Sequence, residues 1–370
     1  MRERAPQTRM RERSSRRLAS DGGLLSGARW SRLHRLAGHR GCPPPDQSTR
    51  STLRLGSSDV PWIAAKGLLS SRHLKYFEIV KDFFELSGLT RPGAAPEHVP
   101  VIAEIGINHN GDIEIAIELM QLAKRAGCDA VKFQKRTPSL CVPLDQQSKV
   151  RDTPWGEMSY LAYKERIEFG STEYAIVADE AKRLDMPWFA SPWDVPSLEF
   201  LIAHGCTLIK IASASVTDQD LLRAVAESGL PVILSTGMST LDEIDGAVAA
   251  LRENPLMLMH ATSTYPCPPE EANLRCINTL RERYGLPVGY SGHEHGIQIS
   301  IAAVALGAVA VERHITLNRA MWGTDQAASL GPRGIETLVR DIRVLESALG
   351  DGTKRIFPGE VEPRRRLRAK

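Results

Sequence analysis

The chain has 370 residues, a 42% hydrophobic composition and a formal net charge of +3, so it contains enough apolar sequence for one large domain or two ordinary ones. No apolar run reaches the roughly eighteen residues of a transmembrane helix, and none of the six cysteines forms a CxxC pair. We therefore expect a cytoplasmic protein with reduced thiols and no membrane association.

The first 58 residues form a basic segment with thirteen arginines, no lysine and four acids. Because the positive charge is concentrated there, we expect no nucleic-acid binding by the rest of the chain. The composition resembles an organelle transit peptide; the alternatives are a disordered extension or sequence upstream of a misassigned start. Low hydrophobicity with high net charge favours disorder, which we predict for residues 1–72.

Residues 73–99 are predicted to contain a short helix and a linker. Apolar side chains have helical spacing over residues 73–87, and the Gly- and Pro-rich sequence after them is typical of a linker. We therefore place the start of the main domain near Pro100.

From Val101 onward, eight short apolar runs alternate with amphipathic stretches of helical character. The interior of each run is almost entirely apolar, as expected for parallel strands that are covered on both faces. Helix N-caps are predicted at Asp112, at Ser171 or Thr172, and at Thr240. The runs are residues 101–106, 130–134, 187–191, 208–213, 231–237, 256–262, 287–292 and 308–314.

Eight strand–helix units in about 250 residues predict a closed (β/α)₈ barrel, the TIM-barrel fold, over residues 100–355, with a basic tail at 356–370. An open doubly wound sheet is the structural alternative. Such sheets usually have fewer strands and a Gly-rich turn after the first strand, and this sequence has no such turn. Active sites of closed barrels lie at the carboxyl ends of the strands, so the polar residues that end the runs are candidate functional residues.

Several of the runs carry a lysine or end in serines. Together they would form a hydroxyl-rich cage for a phosphate or carboxylate. The cage residues are Lys132, Lys210, Ser213, Ser235 and Ser291. The alternative is that the lysines pair with strand carboxylates such as Glu104 and Glu312. Glu104 is also a candidate general base, because burial and a neighbouring cation would shift its pKa in opposite directions.

Two histidines end the last two runs. Adjacent strands lie about 4.8 Å apart, so His293 and His314 could reach one divalent ion and leave positions open for substrate oxygens. The alternative is a hydrogen-bonded histidine in the core, and His109 and His295 are competing ligands. Asp325 follows the last strand and could hold sugar hydroxyls.

Several segments match a known family in order and spacing. They are AEIGINHNGD, AVKFQK, KIASAS, ILSTGMST, ATSTYP, GYSGHEHGI and ERHITLNRAMWGTDQAASL. Over nearly all of residues 100–358 the chain resembles the N-acetylneuraminate (sialic acid) synthase family. The resemblance implies a TIM barrel that joins phosphoenolpyruvate to the open-chain aldehyde of N-acetylmannosamine or a relative and releases phosphate.

The resemblance also implies roles for the strand-end residues. His293 and His314 would bind Mn²⁺ or Mg²⁺, with Co²⁺ as a further candidate, and Glu104 would deliver or orient a water. The residues expected to hold phosphoenolpyruvate are Lys132, Lys210, Ser213, Ser235 and Ser291. The residues expected to contact the sugar are Gln134, Tyr265 and Asp325, and Ser191 and Ser263 are further candidate substrate-binding residues.

Two departures from the family pattern bear on the substrate. Many members have an acid where this chain has Ser215, and full-length members continue into a small antifreeze-like domain where this chain has EPRRRLRAK. In the family's dimers that domain covers the partner's site, so we expect a homodimer with an open site or a lid from another chain.

Two other functions remain open. A legionaminate or pseudaminate synthase belongs to the same reaction class. A non-catalytic sugar- or phosphate-binding barrel does not, and the retained Glu104, Lys210, His293 and His314 argue against it.

Overall fold

The computed structural model describes residues 98–368, and its strands follow the predicted runs. The predicted disorder at 1–72 and nearly all of the predicted helix and linker at 73–99 lie outside the described residues. The strands are β1 Val101–Gly106, β2 Ala130–Lys135, β3 Val150–Thr153, β4 Gly156–Ser159, β5 Trp188–Pro192, β6 Ile209–Ile211, β7 Val232–Ser235, β8 Leu256–Ala261, β9 Val288–Gly292 and β10 Val311–His314.

Eight of these strands close into a parallel barrel in the order β1-β10-β9-β8-β7-β6-β5-β2. The predicted (β/α)₈ barrel is therefore confirmed, and the open doubly wound sheet is wrong. The helices are Ile113–Ala126, Pro138–Cys141, Leu144–Gln147, Tyr160–Ile167, Ser171–Leu184, Val195–Ala203, Gln219–Ser228, Leu241–Ala250, Cys276–Tyr284, Gln298–Ala305, Pro332–Leu349 and Val361–Leu367. No helix between residues 98 and 368 is both long and apolar enough to cross a bilayer.

Local sequence signals explain where several helices begin and end. Asp112 accepts hydrogen bonds from two backbone N–H groups of the first turn, and Thr240 forms a capping box with Glu243, as predicted. At the third predicted cap the prediction was wrong by one residue. Ser171 is already helical, and the N-cap is Gly170, whose N–H donates to Glu173.

Burial on both faces explains the apolar character of the barrel strands. All six residues of β1 are buried, and the same holds for β8. One face of each strand packs against the surrounding helices and the other points into the barrel. Register aligns Glu104 of β1 with Lys132 of β2 and with His314 of β10, which brings polar side chains from three strands to one level.

The segment between β2 and β5 contains structure that the sequence analysis did not predict. β3 and β4 pair as an antiparallel hairpin, and the helix Tyr160–Ile167 follows directly. Three of the four β3 residues are exposed, so the apolar run that reveals the barrel strands is absent there. At the other end of the barrel sequence, the helix Val361–Leu367 lies within the segment predicted as a basic tail.

Candidate active site

A cavity of about 380 Å³ opens at the carboxyl ends of the barrel strands. The residues singled out as candidate site residues from the sequence all line it. They are Glu104, Lys132, Gln134, Ser191, Lys210, Ser213, Ser235, Ser263, Tyr265, Ser291, His293, His314 and Asp325. The barrel therefore brings together, on one rim, side chains that lie as far as 221 positions apart in sequence.

Three buried ion pairs between two lysines and two glutamates form the floor of this cavity. Lys132 Nζ lies 2.8 Å from Glu104 Oε2 and 3.7 Å from Glu312 Oε1. Lys210 Nζ donates to both oxygens of Glu312, at 3.1 and 3.0 Å. Lys132 also donates to Ser191 Oγ at 3.3 Å. The alternative in which the lysines pair with strand carboxylates therefore describes this arrangement.

The two floor carboxylates have different electrostatic environments. Burial raises the pKa of Glu104 to about 7, although Lys132 acts in the opposite direction. Burial acts the same way on Glu312, but Lys132 and Lys210 together outweigh it and hold the Glu312 pKa below its usual range. Near neutral pH, Glu312 is therefore a fixed anion, and Glu104 is the carboxyl that can exchange a proton.

The two candidate metal ligands lie at the ends of adjacent strands, His314 as the last residue of β10 and His293 directly after β9, with ring centroids 5.6 Å apart. His293 Nδ1 lies 2.7 Å from the Thr262 carbonyl oxygen. A carbonyl can only accept, so Nδ1 carries the proton and Nε2 presents a lone pair. Burial lowers the pKa of both histidines, that of His293 to about 4, which favours the neutral form that binds metals.

His314 has an unsatisfied polar atom. Its Nδ1 is buried, makes no hydrogen bond to any described residue, and lies 4.0 Å from Asp325 Oδ2. Within residues 98–368, no three His, Cys, Asp or Glu side chains cluster with metal-ligand spacing. The two neutral imidazoles are nonetheless donors of a kind that divalent transition-metal ions accept, with the remaining positions left to substrate or water.

A hydroxyl-lined wall of the cavity is formed by serines at the ends of the neighbouring strands β6, β7 and β8. Ser213 Oγ accepts a hydrogen bond of 2.9 Å from the Gly237 N–H, and Ser235 Oγ is buried without a partner among the described residues. A side chain at Gly237 would place its Cβ 2.4 Å from Ser263 Oγ and 2.9 Å from Ser213 Oγ. The glycine therefore allows the two hydroxyls to converge behind it.

Gln134, Tyr265 and Asp325 lie on the remaining sides of the cavity. Gln134 Nε2 donates to Glu104 Oε1 at 2.9 Å. The Tyr265 ring lies 4.0 Å from that of His293, centroid to centroid, and Tyr265 is 46% exposed at the cavity entrance. These side chains combine a hydrogen-bonding amide, an aromatic face and a carboxylate around one opening.

The two competing histidines do not line the cavity. His109 is buried, stacks on Phe169 with ring centroids 3.8 Å apart, and accepts a hydrogen bond from the Gly111 N–H. His295 lies outside, with its Nδ1 2.9 Å from Arg319 Nη2. Both were considered as ligands because they neighbour strand ends in sequence, but their side chains point away from the opening.

A second buried network holds the loop that carries His293. Arg313 is fully buried, and its Nη1 donates to Glu294 Oε1 at 2.8 Å and to Ser300 Oγ at 3.0 Å. Tyr290 Oη donates to the other Glu294 oxygen at 3.0 Å. The network therefore clamps the residue next to His293 to β9 and β10, on the side of the sheet opposite to the cavity.

Other residues line the cavity but were not among the predicted substrate or metal ligands, and of these only Glu312 had been named at all, as an ion-pair partner for the lysines. They include Arg136, Lys164, Trp193, Met238, Glu312 and Thr324. Glu312 lies two residues before His314 on the same strand face, and Arg136 lies two residues after Gln134, so the alternation of strand side chains was a usable signal for both. Lys164 lies on a helix and has no such signal.

The geometry agrees with similarity to known proteins. The NeuB family model matches residues 119–354. N,N'-diacetyllegionaminic acid synthase of Campylobacter jejuni is 35% identical over 271 residues, which cover 70% of this chain and 80% of that protein. N-acetylneuraminate-9-phosphate synthase of Drosophila melanogaster is 40% identical over 257 residues, which cover 68% of each chain.

A solved structure shares both the sequence similarity and the fold. The N-acetylneuraminic acid (sialic acid) synthetase of Leptospira borgpetersenii, in complex with citrate, aligns with a TM-score of 0.66 at 33% identity, covering 74% of this chain and 94% of that one. The family model covers more than half of the chain, and the fold and the motif order agree with it. The chain therefore belongs to the NeuB family.

Proposed function

We propose that the protein condenses phosphoenolpyruvate with an N-acylmannosamine-type aldose to give a nine-carbon sugar acid and phosphate. The observation that carries this proposal is the convergence, in one cavity, of two buried lysines, a carboxyl with a raised pKa and a pair of neutral imidazoles. Family membership supports the same reaction class.

In the proposed reaction, C3 of phosphoenolpyruvate attacks the aldehyde carbon and forms the new carbon–carbon bond, while the aldehyde oxygen takes up a proton. Water then adds to the cationic C2 centre. Cleavage of the bond between C2 and the bridging oxygen releases phosphate and leaves a 2-keto acid. Atoms balance as phosphoenolpyruvate, aldose and water in, and sugar acid and phosphate out.

The chain's own residues have distinct parts in this scheme. Lys132 and Lys210 bind the phosphate and carboxylate of phosphoenolpyruvate, together with the cavity serines Ser213, Ser235 and Ser291. Glu104 accepts the proton of the attacking water, for which a pKa of about 7 is well suited. Gln134, Tyr265 and Asp325 orient the sugar, and the closed floor holds both substrates together.

His293 and His314 are the residues that would hold a divalent metal, Mn²⁺ or Mg²⁺. Their fit rests on the two neutral imidazoles on adjacent strands and on the buried His314 Nδ1 without a partner among residues 98–368. When bound there, such an ion supplies Lewis-acid polarisation of a carbonyl oxygen.

A legionaminate-type synthase is a second candidate within the same class, favoured by the similarity to the Campylobacter jejuni relative. One assay separates the candidates: phosphate release from phosphoenolpyruvate in the presence of Mn²⁺ and a panel of N-acyl hexosamines. Sugar-dependent release supports a synthase, and the preferred sugar separates the subtypes. A folded protein that releases no phosphate with any sugar would instead be a binding barrel.

A further inference from the structure

A buried ion pair lies directly behind the two histidines of the cavity. Arg313 precedes His314 on β10, and Glu294 follows His293 in the loop after β9. Arg313 Nη1 lies 2.8 Å from Glu294 Oε1, and the two side chains are 0% and 1% exposed. Neither side chain lines the cavity. Each member of the pair is therefore the chain neighbour of one candidate metal ligand.

The guanidinium of Arg313 binds the loop backbone as well as the carboxylate. Nη2 donates to the Glu294 carbonyl oxygen at 2.6 Å, and Nη1 donates to the Gly296 carbonyl oxygen at 2.8 Å. A planar guanidinium offers its donors in a rigid fork, so these contacts fix direction as well as distance. The backbone that follows His293 is therefore fastened to β10, the strand that carries His314.

The Glu294 carboxylate is held by two further donors. Tyr290 of β9 donates to Oε2 at 3.0 Å, and Ser300 of the helix Gln298–Ala305 donates to Oε1 at 2.7 Å. Gly292 leaves the space for this side chain, since a Cβ there would lie 2.5 Å from Glu294 Oε2. Both carboxylate oxygens are therefore bonded, and Glu294 connects β9, β10 and a helix at one point.

His293 is also held from the opposite direction. Its Nδ1 lies 2.7 Å from the Thr262 carbonyl oxygen, and its own carbonyl oxygen accepts a hydrogen bond of 3.0 Å from the Cys267 N–H. Both partners lie in the segment after β8, whereas Arg313 acts from β10. Because β8 and β10 flank β9, contacts from both neighbouring strands set the direction of the His293 Nε2 lone pair.

The energetics of the pair favour a role in position over a role in stability. Burying two charges costs about as much as their attraction returns, and apolar side chains of similar size are often equally stabilising in such a place. Arg313 Nε is also buried without a partner among the described residues, which is unfavourable. Apolar side chains could not supply the directional bonds to the two loop carbonyls, and those bonds are what the pair provides.

We propose that Arg313 and Glu294 are positioning residues, which hold the His293 imidazole at a fixed distance and orientation relative to His314. This inference rests on the proposed metal site, since an ion held by both imidazoles requires such a fixed geometry. It adds two residues outside the cavity to the determinants of that site.

The test measures Mn²⁺ affinity by calorimetry and stability by urea unfolding. Arg313→Met leaves Glu294 without its cation, so it should lower both the urea midpoint and the affinity. The double variant Arg313→Met, Glu294→Gln removes both charges and should recover most of the midpoint. Its Mn²⁺ affinity should stay about 10- to 100-fold below that of the wild type, the loss typical of a removed ligand support. A double variant with wild-type affinity would overturn the proposal, because the pair would then serve stability alone.

Arg313→Lys provides the same test if the methionine variants do not fold. It keeps a cation beside Glu294 but replaces the fork of donors with a single ammonium, which cannot hold the carboxylate and both loop carbonyls in the same way. It should therefore fold and still bind Mn²⁺ more weakly than the wild type. Unchanged affinity in this variant would count against the positioning role.

Arg343→Met is the matched control. Arg343 pairs with Asp129 at 3.0 Å and with Glu346 at 2.6 Å, and Asp129 directly precedes β2, at the end of the barrel away from the cavity. The variant should lose stability and keep its Mn²⁺ affinity. Equal losses of affinity in Arg343→Met and Arg313→Lys would reflect lowered stability in general and would overturn the proposal.

A measurement without metal separates this proposal from the proposed reaction. Nitrogen-15 NMR of the imidazoles reports the tautomer of His293, which carries its proton on Nδ1 while it contacts Thr262. In Arg313→Lys the ring should exchange between both tautomers. If the wild type binds no Mn²⁺ and releases no phosphate, the metal site and the condensation fail, but a changed His293 tautomer would still support the positioning role. A His293 signal that is the same in every variant would refute it.

Discussion

Glu104 and Lys132 face each other across adjacent barrel strands, in register, with Glu104 Oε2 2.8 Å from Lys132 Nζ, and both side chains are buried. The ammonium is shared with Glu312, which Lys210 also neutralises. Burial and the neighbouring Glu312 charge raise the pKa of Glu104 to about 7 against the opposing charge of Lys132, so Glu104 is the carboxyl that can hold a proton near neutral pH. This asymmetry supports the proposed proton-transfer role of Glu104 and gives Glu312 a purely electrostatic part in that proposal.

Glu104→Gln should lower kcat about 10²- to 10⁴-fold, the range typical of a lost general base, while the fold is kept because the two side chains have nearly the same shape. In the wild type, kcat should rise with pH and level off above about 7, since Glu104 must be ionised to accept a proton. Phosphate release as a function of pH measures both effects. A wild-type profile that is flat between pH 5 and 8 would argue against this role.

The pH dependence of stability tests the raised pKa of Glu104 independently of activity. The folded pKa of Glu104 is raised from 4.5 to about 7, so its contribution to stability is fully present below 4.5 and is lost as pH rises through 7. The melting temperature of Glu104→Gln should therefore fall less than that of the wild type across this interval. Equal slopes in the two proteins would show that Glu104 does not titrate there.

Lys210→Met should reduce kcat/KM for phosphoenolpyruvate at least 100-fold and destabilise the fold by about 3 kcal/mol, because it removes the closest cation from a buried carboxylate. The double variant Lys210→Met, Glu312→Gln should recover most of the stability, because the carboxylate that lost its cation is also removed and Lys132 keeps its pair with Glu104. It should not recover the activity. Urea unfolding measures the stability of each variant, and phosphate release measures its activity. Recovery of activity in the double variant would mean that Lys210 serves only to neutralise Glu312.

His314→Ala should abolish turnover and weaken Mn²⁺ binding about 100-fold or more, with little change in melting temperature, because one of two candidate imidazole ligands is lost. Calorimetric titration with Mn²⁺ measures the affinity directly. His295→Ala is the control, since that ring lies outside the cavity beside Arg319. Full activity in His314→Ala, or equal activity of the wild type with and without a chelator, would contradict the metal assignment.

A chain beginning at residue 95 should fold and melt like the full-length chain. The barrel starts at Val101, and β1 pairs with both β2 and β10, so the barrel closes entirely within residues 98–368. Circular dichroism melting of both proteins provides the comparison. A clearly lower melting temperature for the shorter chain would show that residues before 95 contribute to the stability of the barrel.

Most of the cavity wall was predictable because it depends on two regular rules. Buried parallel strands appear as apolar runs, and closed barrels expose their carboxyl ends on one face, so a polar residue at the end of a run, such as Lys210 or His293, is placed without further information. The helix caps at Asp112 and Thr240 follow from equally local chemistry.

The remaining features depend on relationships that the sequence does not encode locally. Whether Lys132 faces a ligand or pairs with Glu104 is decided by the register between β1 and β2, which is a property of the closed barrel. Lys164 reaches the cavity through the hairpin β3–β4 and the helix after it, a polar segment without an apolar run. His109 has the right neighbours in sequence, but its ring turns into an aromatic cluster instead.

The most direct test of the account uses phosphoenolpyruvate labelled with ¹⁸O at the bridging oxygen, incubated with the protein, Mn²⁺ and N-acetylmannosamine or its 6-phosphate. Phosphate should be released only when the sugar is present, it should carry the label, and a sugar acid should be formed in equal amount. Release of unlabelled phosphate would mean that the bond to phosphorus is cleaved, and release without the sugar would mean that phosphate loss is not coupled to carbon–carbon bond formation. Either result would contradict a condensation at this site.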